Sequence, residues 1–90
     1  ATHHQTIRKT EIAVSITKDK RYYVNNKEVS LAEMEPVLAS TISAINKKNE
    51  EVIVVIRCDY TVSVQELVNV LQIGNKLKIK MILATKAPNA

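Results

Sequence analysis

Five consecutive β-branched residues, Val52-Ile53-Val54-Val55-Ile56, constrain this chain more than any other stretch. Branching at Cβ restricts χ1 in a helix and suits a pleated sheet, so the run favours extended backbone. An uninterrupted apolar strand has no face to offer water. It belongs in the centre of a sheet or under a layer on each side, and the rest of the chain has to supply those neighbours.

The remaining segments read as those neighbours. In "IAVSIT", residues 12 to 17, Ile12, Val14 and Ile16 alternate with Ala13, Ser15 and Thr17, the period of two of a half-buried strand. "KDK" turns the chain, "RYYV" forms a second strand, and Asn25-Asn26 suits a tight turn before "KEVS", giving a small meander. Ser30 and Glu33 have capping-box spacing, and Leu31, Met34, Leu38, Ile42 and Ile45 make one helical stripe ending near Asn46-Lys47-Lys48. Pro36 removes the N–H that would bond the Ala32 carbonyl, so a kink or a tight first turn is expected, with regular helix from about Pro36. Ser63 and Glu66 cap a second helix, whose face is read as Val64, Leu67, Val68 and Leu71, running to about Asn75. "IKMILAT", residues 79 to 85, is the last strand.

The expected fold is α+β in two layers: a four-stranded mixed sheet with two helices on one face, in the order ββαβαβ. Its last strand, helix and strand form a βαβ unit with parallel strands and a right-handed crossover. Ninety residues suffice for one core, read as a domain over 11–86 with a polar linker remnant at 1–10 and a tail at 87–90.

Composition narrows the chemistry. A net charge of +4 permits an anionic partner, but the only aromatics are Tyr22, Tyr23 and Tyr60, too few for base-stacking platforms. A small basic RNA-binding α+β domain is therefore a rival reading only, and no nucleic acid is expected as partner. One cysteine makes no intrachain disulfide and no multi-cysteine zinc site. No stretch approaches the roughly 20 apolar residues that span a bilayer.

Arg57-Cys58-Asp59-Tyr60, where the apolar run ends, is the natural place to look for an active site. Cys58 has no histidine near in sequence, since His3 and His4 stand in the leader, and reads as structural. The two adjacent histidines point apart and lack further ligands, so no metal is expected. Asp59 has no second carboxylate nearby and is well placed to accept the amides of the turn at 59 to 63. Gly74 falls inside the second helix, leaving no phosphate-cradling loop. The residues indicate no catalysis, no cofactor and no small-molecule substrate.

Taken together, "IAVSITKDKRYYVNNKEVSLAEMEPVL", "VIVVIRCDYTVSVQELVNVL" and "KIKMILATK" resemble the periplasmic domain of the ExbD/TolR family over residues 12 to 86. "VNNKEVS" and "ILATK" carry most of the likeness. Cys58 stands where the family usually has a small residue and Val64 where it often has a tyrosine. The family's glycine at the end of the second helix is missing, leaving Asn75 or Leu77 for that role, with Asn75 the better left-handed former.

The resemblance implies a non-enzymatic subunit of a proton-driven inner-membrane motor, held in the membrane by an N-terminal helix outside this chain that carries the proton-binding aspartate. An ExbD-like subunit works with ExbB-like and TonB-like proteins in taking up iron-siderophores and cobalamin; a TolR-like one serves envelope integrity. Such a domain acts by docking, as a homodimer or on a TonB-like partner. With the leader and first strand expected at or near a sheet edge, the pairing surface is read as Glu11, Ile12, Val14 and Ile16, with Tyr22, Tyr23 and the exposed face of the second helix beside it.

Overall fold

Alternating and continuous apolar runs become strands, and the capped stripes become helices. A computed structural model describes residues 8 to 86 of the chain. They form β1 (Lys9–Ile16), β2 (Tyr22–Val24), β3 (Lys27–Val29), α1 (Leu31–Asn46), β4 (Glu51–Asp59), α2 (Val64–Lys76) and β5 (Met81–Lys86). β1 starts inside the stretch read as leader. The sheet is mixed and has five strands in the order β3-β2-β1-β4-β5, not four. The additional strand is β3. Asn25 takes φ 55°, and the turn returns the chain to pair Tyr22 with Val29, Tyr23 with Glu28 and Val24 with Lys27.

The apolar run lies in β4, flanked on both sides. β4 runs parallel to β1 from Lys9↔Glu51 to Ile16↔Cys58, and parallel to β5 from Val54↔Met81 to Asp59↔Lys86. Register decides the faces: Ile12, Val14 and Ile16 stand opposite Val54, Ile56 and Cys58, and all six are buried. They meet Met34 and Leu38 of α1 and Val70 and Ile73 of α2 in one core. Each fully buried aliphatic side chain contributes on the order of 1.5–3 kcal/mol before the entropy of ordering is subtracted.

α1 starts at Leu31 and runs through Pro36, so the start expected at Pro36 is corrected. Both halves of the capping box form: the Glu33 amide donates to Ser30 Oγ at 3.1 Å and the Ser30 amide donates to Glu33 Oε1 at 3.0 Å. Ala32 and Pro36 are exposed, so water can take the carbonyl that the proline frees.

α2 turns a different face inward from the one expected. Val70, Ile73 and Gly74 are buried and Leu67 packs against the core, whereas Val64 and Leu71 are exposed. Gly74 explains the choice. A Cβ there would lie 2.4 Å from Met81 Sδ, so any larger residue would oblige the Met81 side chain to move aside. The helix closes in a Schellman motif: Ile79 N–H donates to Gly74 O at 3.0 Å, and Lys78 N–H to Asn75 O at 3.1 Å. Lys78, with φ 53°, takes the left-handed position expected of Asn75 or Leu77.

Gly74→Val forces β-branched bulk against Met81 and is expected to lower stability by about 1–3 kcal/mol in chemical denaturation, with Gly74→Val/Met81→Ala recovering part of the loss.

Candidate interaction surface

The residues at the end of β4 are structural. Cys58 is buried, and burial, followed by the charge of Asp59, pushes its thiol above the ordinary value of 9.0. A thiol held in its neutral form is a poor nucleophile. Asp59 Oδ1 accepts from the Thr61 amide at 3.0 Å and the Thr61 hydroxyl at 2.9 Å, while its carbonyl accepts from Val62 N–H at 2.9 Å. The carboxylate therefore pins the turn into α2, whose cap is Ser63. No group of three or more potential metal ligands forms among the described residues. His3 and His4 lie outside them.

β1 is not an edge strand. It sits between β2 and β4 in the middle of the sheet, and the side chains of Ile12, Val14 and Ile16 are buried against the helices. Tyr22 is buried too. Burial pushes its phenol up, Glu66 adds to the effect, and a hydrogen bond with Asn69 of α2 opposes it. Tyr23 is half-buried and pairs with Ser15, and exposed Glu11 meets Arg57 at 3.5 Å across the helix-free face of the sheet. Side chains of this set thus offer a partner little beyond Glu11 and Tyr23.

The backbone offers more. β2 pairs only with Val14 to Ile16, and Asn25 closes the ladder by donating its amide to Ala13 O at 2.6 Å and accepting from Ala13 N–H on Oδ1 at 3.1 Å. The Arg8 carbonyl bonds Glu51 across to β4, so by strand alternation Lys9 and Glu11 turn their N–H and C=O groups to the other side. No described strand pairs with them there.

A second edge was missed. β5 is an outer strand of six residues, bonded to β4 on one side; Lys80 O accepts from Val54 N–H, so Met81, Leu83 and Thr85 direct their backbone groups outward. Beside it stands exposed apolar surface: Val64 is 75% exposed, Leu83 46%, Ile82 42% and Leu71 41%. Val64, Val68 and Leu71 share a stripe about 120° round α2 from the buried one, at about 100° per residue. The groove facing α1 is lined instead by Asn69, Gln72, Ile73 and Lys76, which puts the stripe on the β5 flank. Its sequence signal was the stripe itself, read as core.

Nearly the whole chain, residues 1–87, matches the family model described as Biopolymer transport protein ExbD/TolR. The chain belongs to the ExbD/TolR family. No curated protein matches it. Membership brings an accessory role in biopolymer transport, a non-enzymatic one, and family proteins are membrane-anchored with a periplasmic domain. Among the described residues no helix is long and apolar enough to cross a membrane.

For an ExbD/TolR domain whose only thiol is packed in the core, alkylation should be slow. Cys58 is expected to react with iodoacetamide at pH 8 at least tenfold more slowly in the native domain than after denaturation. The raised thiol also sets a sign: its stabilising contribution is complete below the unfolded-state pKa and is lost as pH rises through the folded one, so Cys58→Ser flattens the alkaline limb of a stability-against-pH curve.

Proposed function

We propose that this chain is the periplasmic interaction domain of an ExbD-like subunit of a proton-driven energy-transduction complex. It works with ExbB-like and TonB-like proteins and supports uptake of iron-siderophores and cobalamin across the outer membrane. The full protein is held in the inner membrane by an N-terminal helix outside this chain, which carries the proton-binding aspartate. The domain self-associates and grips its partner through main-chain pairing. The observation carrying this reading, beyond family membership, is the pair of backbone edges at Lys9–Glu11 and at β5, the latter beside exposed apolar side chains.

An edge strand with apolar flanks can gain a neighbour's strand at little cost in ordering. In this reading Lys9 and Glu11 contribute backbone at the β1 edge, Ile12, Val14, Ile16 and Tyr22 hold that backbone in place from the core, and Tyr23 borders it. β5 and the stripe of α2 form the larger, drier surface, suited to a second copy.

Glu11→Pro and Leu83→Pro each delete one outward N–H without removing a described ladder bond. Leu83→Pro is expected to shift the domain toward monomer in sedimentation equilibrium, weakening self-association tenfold or more. Glu11→Pro should weaken binding of a TonB-like periplasmic segment and leave the dimer intact. Folded variants of both that retain dimer and partner binding would remove the edges from the account.

A further inference from the structure

We propose that the end of the domain where β1 begins is a membrane-docking face that seats on anionic phospholipid headgroups. Four elements bring basic residues to this one end. Arg8 and Lys9 open β1, and Lys47 and Lys48 follow α1 just before β4. Lys76 ends α2, while Lys78 and Lys80 lie between it and β5. Because β1, β4 and β5 are mutually parallel, their starts share an end, and both helices finish there. The hydrogen bond that Glu51 N–H donates to Arg8 O beside the first rung, and the groove that Lys47 and Leu77 both line, tie the four together.

Charge is segregated along the strand axis. Seven of the thirteen cations stand at this end against Glu50, Glu51 and the Glu35 that Lys76 reaches, a balance of four positive charges; the other six cations are matched by six carboxylates. All seven basic residues are exposed, whereas Glu50 is half-buried and accepts from the Thr10 hydroxyl. Of the seven, Lys76 reaches the Glu35 carboxylate at 3.6 Å. Lys78 stands at the left-handed position of the Schellman turn, and the Lys80 carbonyl accepts from Val54 N–H at 3.3 Å just before β5 begins.

A bilayer fits this face better than a nucleic acid does. The charges spread over the blunt end of a sheet and two helices rather than along a groove, and the tyrosines stand elsewhere: Tyr22 and Tyr23 pair with the far half of β1, and Tyr60 follows β4. An anionic leaflet attracts each cation near its surface, and the attraction fades within about 8 Å at physiological salt, so cations gathered at one end count together. The inference rests on the proposed anchoring, in which the segment before residue 8 leads to the membrane and already turns this end toward it.

The test is co-sedimentation of the ninety-residue chain with phosphatidylcholine vesicles, with and without phosphatidylglycerol. Binding is expected only with phosphatidylglycerol, and is expected to fall as salt rises. Lys47→Gln/Lys48→Gln/Lys80→Gln should weaken it roughly a hundredfold. Lys18→Gln/Lys20→Asn/Lys27→Gln removes the same charge elsewhere and should change it less than threefold, each variant having been checked for native circular dichroism. No binding to anionic vesicles at low salt, equal loss in both triple variants, or tighter binding to single-stranded RNA at equal phosphate concentration would each overturn the proposal. A domain that dimerises but ignores these vesicles contradicts this inference alone; one that binds them but stays monomeric contradicts the functional reading alone.

Discussion

The parallel ladder between β1 and β4 is the interaction on which the rest of the molecule depends. It joins segments about forty residues apart over eight rungs, Lys9↔Glu51 to Ile16↔Cys58, and fixes which face of each strand meets the helices. A slip of one rung would turn Val54, Ile56 and Cys58 away from Met34 and Leu38 and expose them. The ladder also frames both open edges. By occupying one side of β1 it leaves Lys9 and Glu11 one side that no described strand pairs with, and by placing β4 inside the sheet it sends β5 to the rim of the described strands.

That division of labour suits a part that transmits force by contact. The core is continuous from β3 to α2, and the described residues contain no buried side-chain polar atom without a partner. Pull applied at an edge strand passes through main-chain hydrogen bonds into this core. An edge of β5 loaded along its length would have to shear several bonds at once, whereas the short β2–β3 hairpin offers only three rungs. Under the proposed function, β5 is therefore the stronger grip. The pinned turn at Asp59 and the close approach of Gly74 to Met81 join α2 to β4 and β5.

Much of this was legible in the sequence, where local chemistry speaks for itself. The capping box at Ser30, the N-cap at Ser63, where Glu66 accepts from the serine hydroxyl and not from its amide, alternation from Ile12 to Ile16 and the apolar run of β4 each reflect forces that act over a few residues. The neighbours of β1 were not legible. Alternation says which side chains turn inward but not which strand lies alongside, and the partner on one side is forty residues away. The face of α2 was misread because Val64, Val68 and Leu71 satisfy helical spacing as well as Leu67, Val70 and Gly74 do. Close approach at Gly74 chose between them, and that is a tertiary fact. The basic end was visible only as "KLKIK" until parallel strands gathered Arg8, Lys9, Lys47 and Lys48 beside it.

Amide hydrogen exchange on the isolated domain distinguishes the paired side of β1 from its open side. The strongest protection is expected at the amides of Ile12, Val14, Ile53 and Val55, which by strand alternation bond across the β1–β4 ladder. Glu11 and Leu83 should exchange at least a hundredfold faster in dilute monomer, with Leu83 slowing on self-association. Uniform protection along β1 in the monomer, with Glu11 as slow as Ile12, would contradict the account by showing that the free side of β1 is already taken.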